Sequence, residues 1–159
     1  MIVLGIDPGT ATTGYGVIEA STRVRLVECG CVKTSAAMPM VERLQEIYMG
    51  IKGLVEAFSP QEVAVEDIFF SRNAKTALSV GHARGVILLA ASHCGASVFS
   101  YTPLEVKQAV AGYGRADKGQ VQHMVKTILH LAEIPRPDDA ADAIAVSLCH
   151  WYSRKLRAL

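Results

Sequence analysis

The chain has 159 residues and carries 16 Lys and Arg against 15 Asp and Glu, a formal charge of +1 at neutral pH; a chain of that length is expected to form a single domain, residues 1–159. Half of its residues are hydrophobic and 19% are charged, which excludes a disordered or low-complexity chain and leaves enough apolar surface for a sizeable core. The apolar run at residues 2–6 has no basic leader and passes straight into Asp7, so no export signal is read there and the chain is expected to stay in the cytoplasm.

Residues 2–6 have the pattern of a strand covered on both faces, hence central in its sheet, and Asp7 stands where that strand ends. A turn at Pro8-Gly9-Thr10 leads to strands predicted at residues 15–19 and 24–32, whose short connections indicate antiparallel hairpins. Leu44, Ile47, Tyr48, Ile51, Leu54, Val55 and Phe58 recur at threes and fours and predict a helix stopping near Pro60. Residues 62–67 alternate, with Val63 and Val65 on one face and Ala64 and Glu66 on the other. A right-handed return from the helix makes this strand parallel to the first, so that Asp7 and Glu66 end strands on the same edge.

A second helix is predicted at residues 73–92 and a strand at 97–101, followed by a helix opened by the capping box Thr102-Pro103-Leu104-Glu105. Beyond the loop at residues 112–115, Val121, Met124, Val125, Ile128 and Leu129 mark another amphipathic helix; past Pro135 and Pro137 a last one begins at Asp138 or Asp139 and runs toward Tyr152. The stretch between Arg84 and Glu105 lacks Asp, Glu, Lys and Arg over about the span of a bilayer. His93, Gly95, three serines and Pro103 interrupt it, so it reads as a helix followed by a buried strand, with no membrane span. Cys29, Cys31, Cys94 and Cys149 have no zinc-site spacing and are expected to be reduced, and the five histidines show no metal-ligand spacing.

The near-zero net charge hides an uneven distribution. Residues 1–66 sum to −3, 67–126 to +4 and 127–159 to 0. The basic middle consists of Arg72, Lys75, Arg84, Lys107, Arg115, Lys118 and Lys126. Gathered on one side of the fold, these bases attract a polyanion; scattered over helices, they are ordinary solvated charge.

Asp7, Glu66, Asp139 and Asp142 are the candidate chemical groups. Asp139 and Asp142 are three apart, on one helix face, and Ala140 and Ala141 between them are small enough for that turn to pack closely on the sheet. Four acids converging in a low dielectric repel one another unless divalent cations bind, and all-oxygen ligation suits Mg²⁺ or Mn²⁺. Asp138 or Asp139 equally suits a helix cap, and Asp7 a turn opener.

Gly5-Ile6-Asp7-Pro8-Gly9-Thr10 with Thr13-Gly14-Tyr15-Gly16-Val17, Glu66, Asn73-Ala74, Ala83-Arg84-Gly85, Val106-Lys107-Gln108, the stretch from Lys118 to Val125 and Asp139-Ala140-Ala141-Asp142-Ala143 together resemble the bacterial RuvC Holliday-junction resolvases over nearly the whole chain. The resemblance implies an α/β, ribonuclease-H-like fold with a five-stranded mixed sheet flanked by helices. It implies a metal-dependent endonuclease that hydrolyses phosphodiesters of four-way DNA junctions, working as a homodimer alongside the RuvA and RuvB branch-migration proteins. By the same resemblance Asp7, Glu66, Asp139 and Asp142 hold two Mg²⁺ (Mn²⁺ is the alternative), Lys118 sits near the scissile phosphate, Lys107 and Lys118 contact phosphates, and Phe69 stacks on a base. Phe70 beside it leaves open which ring faces DNA. Arg72, Lys75 and Arg115 complete the expected DNA-binding set.

The Gly-Ile-Asp-x-Gly-Thr turn is also similar to the first phosphate loop of actin-like and Hsp70-like ATPases, but those need a second lobe, and no Walker-type loop is present. A ribonuclease H acting on RNA/DNA hybrids and a junction-binding protein without catalysis are the nearer rivals. Symmetric cutting calls for two sites and hence an isologous pair. Ala74, Ala77, Gly81 and Gly85 form a small-residue stripe that suits either a dimer contact or close packing of that helix on its own sheet.

Overall fold

The apolar run at the N-terminus does become the centre of the sheet. In a computed structural model that describes residues 1–68 and 74–157, strands β1 (Ile2–Asp7), β2 (Thr12–Ala20), β3 (Val24–Lys33), β4 (Glu62–Glu66) and β5 (Ser97–Tyr101) form one mixed sheet in the order β3-β2-β1-β4-β5. β1 pairs antiparallel with β2 and parallel with β4, and β4 pairs parallel with β5. The helices are α1 (Met40–Phe58), α2 (Ala74–His93), α3 (Pro103–Ala111), α4 (Lys118–Ile128) and α5 (Asp138–Arg157). No helix among the described residues is long and apolar enough to cross a membrane.

Two apolar layers enclose the sheet. Val3, Ile18 and Ala64 pack with Val106 of α3, Val121 and Val125 of α4, and Ile144 and Leu148 of α5. Leu4, Ile6, Val17, Val63 and Val65 pack on the other face with Ile47 and Ile51 of α1 and Ala83 and Ile87 of α2. Because side chains alternate along a strand, Val3, Gly5 and Asp7 share the α5 face, as do Ala64 and Glu66.

β2 starts three residues earlier than the apolar alternation indicates. Thr12, Thr13 and Gly14 carry little hydrophobic signal, yet they pair with Lys33, Val32 and Cys31, and the buried Thr13 donates its hydroxyl to the Gly9 carbonyl at 2.7 Å. The backbone ladder and this turn bond define the strand there.

α5 lies unusually close to the sheet, and glycine is the reason. A Cβ on Gly5 would overlap the Ala143 carbonyl, one on Gly14 the Asp139 carbonyl, and one on Gly16 would stand 2.5 Å from Ile144 Cγ1. Ala140, Ala141, Ala143 and Ala145 of α5 are all essentially inaccessible, so small residues on both sides permit the approach expected from Ala140 and Ala141. Its consequence is chemical: the first turn of α5 is brought onto the end of β1.

Ala77 of the α2 small-residue stripe lines the hollow beside Asp7 and Glu66, and Gly81 and Gly85 do not pack on the sheet. Ala83, Ile87, Ala90 and Ala91 take that role, whereas nothing lies within 4 Å of a Cβ on Gly85 and Gly81 meets only Ile68 at 3.4 Å. Leu78 and Leu89, on the same outward face as Gly85, are 62% and 49% exposed.

Candidate active site

Two strand ends and one helix start supply the four acids. Asp7 ends β1, Glu66 ends β4, and Asp139 and Asp142 lie in the first two turns of α5. Each follows from local pattern: Asp7 and Glu66 face α5 by strand alternation, and Asp139 and Asp142 share a helix face by their spacing of three. The Asp7 and Glu66 carboxyls are hydrogen-bonded to each other.

The electrostatics are those of a crowded anionic site. Burial, followed by the charges of Glu66, Asp142 and Asp139, pushes the Asp7 carboxyl up to about 8, so Asp7 holds a proton and donates it to Glu66. Burial and the charge of Asp142 raise Glu66, while the bond from Asp7 and the positive charges of Lys107 and Lys118 pull it back. Burial raises Asp142 against the opposing effect of its hydrogen bond with Lys118. Lys118 Nζ lies 2.7 Å from Asp142 Oδ2 and 3.9 Å from Asp138 Oδ2.

A cavity of about 220 Å³ is lined by Glu66, Lys107, Lys118, Val121 and Asp142. A second, of about 150 Å³, is lined by Asp7, Glu66, Asp67 and Thr76. Glu66 and Pro103 belong to both, so Asp7, Glu66 and Asp142 border adjoining hollows, with Lys107 and Lys118 on the α3 and α4 side; Asp139 lines neither.

The donor set suits a hard divalent cation: four carboxylates, oxygen only, with Asp7 driven by burial and then by the neighbouring acids to hold a proton. Among the described residues no three His, Cys, Asp or Glu donors already enclose one point. The acids are gathered by strand end and helix face, and Lys118 supplies the direct counter-charge to Asp142.

The remaining expected site residues are distributed unevenly. Lys107, on α3, lines the cleft beside Glu66. Lys75 is exposed in the first turn of α2, and Arg115 is exposed in the loop between α3 and α4. Phe69, Phe70 and Arg72 lie outside the described residues. Arg84 is occupied structurally: its guanidinium donates to the Glu66 carbonyl at 3.3 Å and to Ser100 Oγ at 2.7 Å, and stands 3.3 Å from Asp67 Oδ1. It thereby clamps the end of β4 that carries Glu66, a role its place in the basic middle did not reveal. Asp138, weighed as a helix cap, pairs with Arg136 at 2.6 Å and with Lys118.

A second capping box, not singled out from the sequence, opens α4. Gln120 N donates to Asp117 Oδ1 and Asp117 N to Gln120 Oε1, both at 2.9 Å. The Asp-x-x-Gln spacing is the signal that could have found it, and it fixes the backbone carrying Lys118.

The family model described as crossover junction endodeoxyribonuclease RuvC matches residues 3–150. The chain is 56% identical over 162 residues to the RuvC crossover junction endodeoxyribonuclease of Pelotomaculum thermopropionicum, covering 99% of each chain. It is 58% identical over 151 residues to that of Moorella thermoacetica, covering 94% of this chain and 90% of the relative. Among solved structures, Thermus thermophilus RuvC in complex with Holliday junction substrate superimposes with a TM-score of 0.94 at 42% identity, covering 99% of this chain and 96% of the other. Full-length identity of this order, with a sheet order and helix placement that superimpose throughout, means that this chain belongs to the RuvC family of crossover junction endodeoxyribonucleases.

Proposed function

We propose that the chain resolves four-way DNA junctions by metal-dependent phosphodiester hydrolysis, with Asp7, Glu66, Asp139 and Asp142 holding two Mg²⁺ ions and Mn²⁺ as the alternative occupant. The observation that carries this reading is the crowding of acids at the end of the central strand, which keeps a proton on Asp7 up to about 8. Bound there, the ions would supply Lewis-acid polarisation of the phosphate and a water acidic enough to attack it. The protein's own part is to hold four carboxylates on two strand ends and one helix, and to aim Lys118 at negative charge developing on the phosphate. Lys75, Lys107 and Arg115, with Phe69 and Arg72 from the segment before α2, form the DNA-binding set.

A homodimer would present two such sites to the two strands of a junction. The outward face of α2, with Leu78, Gly85 and Leu89, is the surface that supports it. RuvA and RuvB are the proposed partners and the cytoplasm the proposed location. The test is incubation of the protein with a synthetic four-way junction, with and without Mg²⁺, and mapping of the nicks. Symmetric paired nicks that require the metal are expected. Preferential cutting of an RNA/DNA hybrid, or ATP hydrolysis without junction cleavage, would overturn the reading.

A further inference from the structure

The loop between α3 and α4 carries Tyr113, which is 46% exposed and is the most exposed aromatic side chain among the described residues. A single exposed apolar side chain needs no explanation in itself. This one stands on a loop whose backbone is held at both ends. Gly112 caps α3 in the left-handed conformation, φ 87°, donating its N–H to the Gln108 carbonyl at 3.0 Å, and Gln108 Nε2 returns a 2.8 Å bond to the Gly112 carbonyl. Ala116 is 1% exposed and anchors the far side, next to the Asp117–Gln120 capping box. The ring is thus presented by a fixed backbone, which lowers the ordering cost of binding.

Behind it lies a groove of about 440 Å³ lined by Tyr113, Asp117, Gly119, Gln120, His123 and Met124, within the range of about 300–1,000 Å³ seen for small-ligand clefts. The Asp117 carboxylate is engaged in its helix cap. Arg115, exposed, follows two residues after Tyr113 on the same loop, and Lys118, which opens the helix that lines the groove, faces the acid-lined cleft beside Asp142. The loop itself reaches toward the acid-lined cleft: Gly114, the residue after Tyr113, lines a third hollow together with Lys107, and Lys107 also borders that cleft. An exposed aromatic on a fixed loop, one residue from a hollow shared with a lysine of the acid-lined cleft, is the chemistry that takes an unstacked nucleobase from a polyanion crossing that cleft.

We infer that Tyr113 is a base-stacking position, distinct from Phe69, that receives an unpaired base of the DNA strand as it leaves the cleft past Lys107 and Lys118; the inference rests on the DNA-junction reading above. Stacking of this kind tolerates any base, since every base offers a π face. It adds affinity and holds the strand in place without reading sequence.

The test measures junction binding in Ca²⁺ for the wild type, Tyr113→Ala and Tyr113→Trp, using junctions that carry one abasic site moved nucleotide by nucleotide along the strand flanking the cut. Tyr113→Ala is expected to weaken binding at least about fivefold, and Tyr113→Trp to retain wild-type affinity. An abasic site at one position is expected to weaken the wild type by the same factor while leaving Tyr113→Ala unaffected. Wild-type affinity in Tyr113→Ala, or an abasic penalty equal in both proteins at every position, overturns the inference. Because binding in Ca²⁺ does not depend on cleavage, the nicking assay in Mg²⁺ reports separately on the endonuclease reading. Failure of nicking with the abasic coupling intact removes catalysis and leaves the stacking site standing.

Discussion

Lys118 Nζ and Asp142 Oδ2 stand 2.7 Å apart at the edge of the acidic cleft, linking the basic start of α4 to the acidic start of α5. The hydrogen bond to Asp142 and the neighbouring acids raise the Lys118 ammonium above its ordinary value despite partial burial, so it stays charged throughout the neutral range. If its charge acts on a phosphate in the ground state, Lys118→Ala weakens junction binding and lowers the salt slope of log K by about one for each phosphate left without its cation. If it acts in the transition state, the cleavage rate falls while Ca²⁺-supported binding holds. Lys107→Ala, at a residue beside Glu66, is expected to show the first behaviour. Unchanged slope and rate in both variants would return these lysines to solvated surface charge.

Asp7 gives a prediction whose sign follows from linkage. Its folded-state value, about 8, lies above the ordinary 3.8, so between those values the folded chain binds more protons than the unfolded one and stability falls as pH rises. In EDTA the melting temperature is therefore expected to decline between about pH 4 and pH 8. Mg²⁺ should counter the decline, and more strongly at the upper end, where fewer protons compete for the carboxylates. Asp7→Asn is expected to flatten the pH dependence and melt higher than the wild type in EDTA. It should also lose the Mg²⁺ increment and cleave far more than tenfold more slowly, tenfold being only about 1.4 kcal/mol. Calorimetry across pH with and without Mg²⁺ checks the first three outcomes and a nicking assay the last.

The glycines beneath α5 separate close approach from mere helix packing. At Gly14 an added methyl meets the Asp139 carbonyl, whereas at Gly53 in α1 it meets nothing within 4 Å. Gly14→Ala is expected to lose about 1–3 kcal/mol through overpacking and to lose activity beyond what the folded fraction explains, because the turn carrying Asp139 is pushed off the end of β1. Gly53→Ala is expected to gain up to about 1 kcal/mol from helix propensity and to keep full activity. Equal activity per folded molecule in both variants would show that the separation of α5 from the sheet does not set the site.

Much of the candidate site is legible in the sequence, for reasons that differ residue by residue. Asp7 is marked by the unbroken apolar run before it, Glu66 by strict alternation with Val63 and Val65, and Asp139 with Asp142 by their spacing on one helix face. Those signals are local, and local periodicity survives folding. Arg84 is different: it belongs to the end of β4 through contacts with Glu66, Asp67 and Ser100 that no spacing encodes. The pairing of Lys118 with Asp142 spans two helices in the same way. The α2 stripe could not be oriented from sequence because the apolar residues of that helix are spread around it and leave no single polar face. Only the placement of Ala83 and Ile87 against the sheet turns Leu78, Gly85 and Leu89 outward.

That outward face carries the dimer prediction. Leu78 and Leu89 are large, exposed and separated by three helical turns, with Gly85 between them offering room for a partner helix. Leu89→Asp is expected to shift sedimentation toward monomer at micromolar protein and to replace paired nicks with uncoordinated single nicks. Its melting temperature, extrapolated to low concentration, should match that of the wild type, since Leu89 supports no part of the buried core. A wild type that sediments as a monomer on junctions and still nicks in pairs would overturn the two-site model.

The last prediction concerns the opposite end of α5. The buried His150 places Nε2 2.6 Å from Glu62 Oε2 at the start of β4 and Nδ1 2.9 Å from the Tyr101 hydroxyl at the end of β5, with the Phe99 ring tilted against it at 4.6 Å. One side chain on the helix thus fastens two parallel strands. Burial raises the Glu62 carboxyl, but the hydrogen bond and charge of His150, with Arg154 3.1 Å away, outweigh it and hold Glu62 below its ordinary value. A carboxylate lowered on folding contributes stability that is present above its unfolded value and lost as pH falls through the folded one. Glu62→Gln is therefore expected to melt below the wild type at neutral pH, with the gap closing as pH drops below about 4. His150→Phe is expected to be more damaging than Glu62→Gln at every pH, because it leaves both the Tyr101 hydroxyl and the Glu62 carboxylate without that partner. Calorimetry from pH 3 to pH 8 decides it. A Glu62→Gln gap that stays constant across that range would show that the carboxylate contributes by packing and not by its charge.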